Sequence, residues 1–136
     1  MDCHHKNILI IGAGGAAQSI LAELIAQKPN KILILNRTIE KAKKLIDFFA
    51  PLFQIDFYAG EKIDLLINTT STDFVHFELP CDLSETIFYD LNYGERHQTC
   101  LNWAMQNNAL RIYDGLGMLV GQGRESFYQW FGKWPR

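Results

Sequence analysis

The chain carries the run Gly12-Ala13-Gly14-Gly15-Ala16-Ala17, and no other segment limits the possible folds so tightly. Residues 6–11 (KNILII) before it are apolar and rich in β-branched side chains, the mark of a buried strand. Residues 16–27 after it place Ile20, Leu21, Leu24 and Ile25 on one helical stripe, which Pro29-Asn30 ends. A strand therefore turns on glycine straight into a helix.

The same alternation continues along the chain. Residues 32–35 (ILIL) form a second apolar run. Thr38 stands where it can cap a second helix, with Ala42, Leu45, Ile46 and Phe49 facing inward and Pro51 beyond the end. Further strands are expected at 53–58, 65–67, 86–91 and 110–113, and further helices at 98–107 and 116–131. Strands that are continuous apolar runs, separated by helices, belong in a parallel sheet covered on both faces. The expected fold is α/β, a doubly wound parallel sheet of about six strands, forming one domain over residues 1–136.

Composition removes other classes. Thirteen Lys and Arg against fifteen Asp and Glu leave a net charge of −2, so no basic field recruits nucleic acid or an anionic membrane. No apolar run approaches the roughly 18 residues of a membrane span, and the first residues do not read as a signal peptide. Cys3, Cys81 and Cys100 are an odd set without metal-ligand spacing, which points to reduced thiols in the cytoplasm and to no metal site.

The glycine run fits G-x-G-x-x-A at a strand-to-helix corner. Gly12 permits the sharp turn, Gly14 lets the backbone approach a pyrophosphate, and Ala17 lets the helix pack close to the sheet. Free N–H groups and the positive end of the helix then face the phosphates. Glycine turns also occur at strand–helix corners that bind nothing, but the full strand–turn–helix context favours a dinucleotide. An NAD site usually offers a carboxylate roughly 20 residues past the motif, at the tip of the second strand. Here that tip reads Asn36-Arg37-Thr38, with Lys41 one helical turn on. A guanidinium, an ammonium and a hydroxyl suit a 2′-phosphate, which favours NADP over NAD. The bland alternative is that Arg37 and Lys41 are solvated surface cations. Asn36-Arg37 also argues against a methyltransferase, which normally wants an acidic residue there.

The segments GAGGAA, NRT-x-x-K, INTTS, YDLNY and DGLGMLVGQ, in that order, resemble the shikimate dehydrogenase family, specifically its C-terminal cofactor domain. The resemblance covers residues 6–135. It implies NADPH-dependent reduction of 3-dehydroshikimate to shikimate, with a Rossmann-like cofactor domain. Carried over by position, Gly12, Ala13, Gly14, Gly15 and Ala16 would hold the pyrophosphate, and Asn36, Arg37, Thr38 and Lys41 the 2′-phosphate. Thr70 and Ser71 would lie beside the nicotinamide ribose. Leu91, Gly115 and Met118 would border the nicotinamide ring, and Tyr93 and Gln122 would reach the substrate. Thr69 and Asp73 depart from the residues common in the family, as does Cys100 where proline commonly opens the helix.

The family's N-terminal domain binds most of the substrate and supplies a lysine and an aspartate for proton transfer. No catalytic residue is assigned within these 136 residues, so the chain is expected to bind NADPH without measurable turnover. Met118, Leu119, Trp130, Phe131 and Trp134 are expected to leave an apolar face that invites a homodimer, although the aromatic residues equally suit packing of a last helix on the sheet. A stand-alone NADP-binding sensor module, or the cofactor domain of a quinate-type relative, is the competing assignment. Tyr93 and Gln122 favour enzyme ancestry, because a sensor has no need of substrate-facing polar groups. His4-His5, His97, Cys81 and Cys100 read as residues without catalytic work. Asp90 and Asp114 read as strand-end carboxylates bonding nearby backbone.

Overall fold

The structure is a computed structural model, and it describes residues 5–70, 83–91 and 102–114. Among the described residues, one sheet holds β1 (Asn7–Ile11), β2 (Lys31–Leu35), β3 (Ile55–Phe57), β4 (Leu65–Asn68), β5 (Ile87–Asp90) and β6 (Arg111–Asp114). Helix α1 (Gly15–Ala26) joins β1 to β2, and α2 (Ile39–Phe49) joins β2 to β3. The strands lie in the order β3-β2-β1-β4-β5-β6 and pair in parallel throughout.

Why β1 reads as an unbroken apolar run is now plain. Ile8 and Ile10 sink into a cluster with Ala17, Ile20, Leu21 and Leu24 of α1 and Ala42, Leu45 and Phe49 of α2. Leu9 and Ile11 point the other way, into a second cluster with Leu66, Phe88 and Ala104. A helical stretch over 102–106 covers this second face, and Trp103 meets Phe88 edge-on at 6.1 Å. Asn108 ends the stretch in the left-handed region (φ 63), with Asn108 N–H bonded to Met105 and Ala109 N–H to Ala104. On both faces of β1, the side chains from Ile8 to Ile11 are fully buried. Cutting any one of its Ile or Leu side chains to alanine is expected to cost about 2–5 kcal/mol.

Three local expectations change. The third strand is shorter than 53–58, because Leu52 and Phe53 still donate their N–H groups to Phe49 O and close the end of α2. Thr38 does occupy the position before α2, but its side chain makes no capping bond. Asn36 pins the corner instead, its Nδ2 donating to the Thr38 carbonyl at 2.8 Å. Ile25 and Ile46, placed inward by periodicity, are half-buried at the edges of their stripes.

The connections through α1 and α2 carry the chain outward from β1 to β3, and β4 then returns to the other side of β1. The ends of β1 and β4 thus flank the point where strand order reverses, where open sheets of this kind take their ligands.

Candidate functional site

At that reversal point β1 ends at Ile11, directly beside Asn68 at the end of β4. Gly12 comes next with φ +115, a region that favours glycine. Its N–H donates to the Leu35 carbonyl at 2.8 Å, tying the turn to the end of β2. Because Leu35 lies two residues before Arg37, the glycine turn and the cationic corner sit side by side. Arg37, Thr38 and Lys41 are all exposed there, and Asn36 is half-buried.

Gly12, Gly14 and Gly15 differ in what they permit. A Cβ on Gly12 would overlap the Thr69 hydroxyl and come within 3.3 Å of Thr70 N. A Cβ on Gly14 or Gly15 would meet nothing within 4 Å. The glycines at 14 and 15 therefore leave an open cradle in front of the N-terminus of α1. Gly14 occupies the cap position with no side-chain cap, and the first turn holds no acidic residue. The positive helix end is uncompensated from within its own helix, which fits a pyrophosphate. Ala13 is half-buried against the core, Ala16 is exposed at the mouth, and Ala17 is fully buried under the sheet.

The other wall of the mouth is the end of β4. Thr69 donates both its N–H and its hydroxyl to the Ile11 carbonyl, each at 2.8 Å. Thr70 donates its N–H to Asn68 Oδ1 at 3.1 Å. Leu91, just past β5, bonds its N–H to the Asn68 carbonyl at 3.0 Å and packs half-buried on the first core cluster. Asp90 is fully buried, and the side-chain Nδ2 of Asn68 donates to its Oδ1 at 3.3 Å. For this carboxylate, expected to bond nearby backbone, the structure shows a side-chain partner. The sequence gives Asn68 no role and marks Thr69 only as a departure from the residue common in the family. The signal that points to them is a polar triplet closing a strand whose other residues are all buried.

Ser71, Tyr93, Gly115, Met118 and Gln122 lie outside the described residues, as do His4, His97, the three cysteines and the apolar residues from Met118 to Trp134. Among the described residues no three His, Cys, Asp or Glu gather as a metal site, and no helix is long and apolar enough to cross a membrane.

The chain is similar to known proteins in sequence and in fold. Residues 1–75 match the family model of shikimate / quinate 5-dehydrogenase, and residues 115–135 match that of the shikimate 5′-dehydrogenase C-terminal domain. A shikimate dehydrogenase (NADP(+)) of Halorhodospira halophila is 37% identical over 142 residues, covering 100% of this chain and 53% of the relative. The enzyme of the same name from Vibrio campbellii is 42% identical over 138 residues, covering 94% of this chain and 49% of the relative. Among solved structures, an Ael1 enzyme from Pseudomonas putida superposes with a TM-score of 0.76 at 30% identity, over 99% of this chain and 53% of that one. The chain spans about half the length of the curated relatives it matches. With more than half its residues inside one family model, and with the sheet order and glycine turn that such a coenzyme fold requires, the chain belongs to the shikimate / quinate 5-dehydrogenase family.

Proposed function

We propose that residues 1–136 form the NADP(H)-binding domain of a dehydrogenase acting on shikimate or a close relative, working in the cytoplasm. The observation that carries this is the bond from Gly12 N–H to Leu35 O, which sets an open phosphate cradle next to Arg37. The names of the relatives, shikimate dehydrogenase (NADP(+)), agree with it.

In this assignment the N–H groups from Gly12 through Ala16 take the pyrophosphate, with Gly14 and Gly15 leaving it room. Asn36 shapes the corner at which Arg37, Thr38 and Lys41 take the 2′-phosphate. A bidentate guanidinium suits a phosphate better than any carboxylate-bearing strand tip would. Thr70 and Ser71 would adjoin the nicotinamide ribose, and Leu91, Gly115 and Met118 would border the ring. Tyr93 and Gln122 would reach the polar groups of the substrate. Bound NADPH supplies a hydride to the substrate carbonyl carbon. That transfer also needs a positioned acid at the carbonyl oxygen, a role assigned to none of these residues. The 136-residue polypeptide by itself is therefore expected to bind the coenzyme and not to turn over.

Calorimetric titration of the purified chain tests the assignment. NADPH is expected to bind at least about tenfold more tightly than NADH, a difference of about 1.4 kcal/mol. Equal or tighter binding of NADH, or no uptake of either, contradicts it. Adding 3-dehydroshikimate and following NADPH absorbance tests the second clause, which enzyme-dependent oxidation would overturn.

A further inference from the structure

Asn68 and Asp90 end neighbouring strands, are register partners, and are both 0% exposed. An amide and a carboxyl are costly to bury unless their polar atoms are engaged. Here they are engaged in a directed series. Asn68 Nδ2 donates to Asp90 Oδ1, Asn68 Oδ1 accepts the Thr70 N–H, and the Asn68 carbonyl accepts the Leu91 N–H. The carboxylate decides which way the amide lies. Were Asn68 turned over, its oxygen would face the Asp90 oxygen and its NH₂ would face the Thr70 N–H, so two acceptors and two donors would oppose each other. Asp90 thus sets the side on which Asn68 offers its acceptor, and that acceptor closes the turn after β4. Thr69, bonded twice to Ile11 O, holds the same turn from the β1 side.

We propose that Asp90 is a positioning residue which, through Asn68, fixes Thr70 at the nicotinamide end of the coenzyme site. This rests on the coenzyme assignment made above. Its consequence is asymmetric: the adenosine end, built on the end of β2, does not depend on Asp90.

Two ligands separate the ends, NADPH and adenosine 2′,5′-bisphosphate, which carries the adenosine end alone. Asp90→Leu and Asn68→Leu are each expected to weaken NADPH binding about tenfold or more, while the bisphosphate changes by less than about twofold. The double variant is expected to be no weaker than either single one, because one series of contacts is broken only once. Asp90→Asn keeps an oxygen for Asn68 Nδ2 and is expected to stay within about threefold of the unaltered chain. Thermal melts report folding, and where Asp90→Leu does not fold, Asn68→Leu and Asp90→Asn carry the same comparison. Equal loss for both ligands overturns the proposal and leaves a merely structural pair, as does undiminished NADPH binding in the leucine variants. An unaltered chain that binds neither ligand contradicts the coenzyme assignment and the proposal with it. An unaltered chain that binds both, with no asymmetry among the variants, contradicts the proposal alone.

Discussion

Thr69 and Gly12 form one joint: the Thr69 hydroxyl donates to Ile11 O at 2.8 Å, and the Thr69 Oγ1 fills the space a side chain on Gly12 would need. The end of β4 and the turn after β1 are thereby held against each other at the place where strand order reverses.

Gly12→Ala is expected to destabilise the fold by about 2–4 kcal/mol, from the positive φ and from displacement of the Thr69 hydroxyl. Thr69→Ala in the same chain removes the overlap but not the backbone strain. The double variant should recover about 1 kcal/mol relative to the sum of the single ones in a denaturant-melt cycle. Strict additivity would show that the two residues do not meet.

Gly14 separates binding from folding. It has φ −91, which any residue adopts, and space in front of it. Serine is a good residue at a helix cap, so Gly14→Ser should leave stability within about 0.5 kcal/mol. The added side chain stands where the pyrophosphate approaches, and NADPH affinity measured by calorimetry should fall about tenfold or more. A variant with full affinity would place the phosphates elsewhere.

The exposed cations at the end of β2 act through charge. Arg37→Ala is expected to lower NADPH affinity about tenfold or more while NADH stays within about twofold. Lys41→Ala should do the same more weakly, since an ammonium lacks the paired donors of a guanidinium. Raising salt should shrink the NADPH advantage of the unaltered chain, because exposed charges are screened. Parallel losses for both coenzymes would remove the 2′-phosphate from the account.

Ahead of the starts of β4 and β5, at the other end of the strands, Lys62 Nζ lies 2.6 Å from Glu85 Oε2, with both side chains exposed. The hydrogen bond and then the charge of Glu85 hold the Lys62 ammonium above the ordinary lysine value of 10.5. A raised lysine contributes fully below its unfolded value and loses its contribution only as pH climbs through the raised one. Both lie far above neutrality, so the pair should leave melting flat between about pH 6 and 9. Glu85→Gln should lower the Lys62 titration toward 10.5 in a side-chain NMR titration, and an unmoved midpoint would contradict the contact.

The parts of this fold that could be read from the sequence are those with a local cause. A strand buried on both faces must be apolar at consecutive positions, so β1, β2 and β4 announce themselves, and the glycine corner fixes the entry into α1. The Arg37 corner could be read because only its position relative to that glycine corner mattered. Other features depend on pairing across the sheet. Nothing in residues 65–68 tells that Asn68 will align with Asp90, since register is set by strand order and not by either segment alone. The role of Thr69 was hidden for the same reason, as its partner Ile11 lies 58 residues away. The Thr38 side chain makes no capping bond to α2, and the bond at this corner runs from Asn36 Nδ2 to the Thr38 carbonyl, a local side-chain-to-backbone contact that helical periodicity does not announce.

Amide chemical-shift mapping measures directly where a coenzyme lies on the chain. Adding NADPH to the isotope-labelled chain should move the Gly14, Gly15, Arg37 and Thr70 amides together, and NADH should leave Arg37 the least disturbed of them. Shifts clustered away from the glycine turn, or an Arg37 amide indifferent to the 2′-phosphate, would contradict the coenzyme assignment.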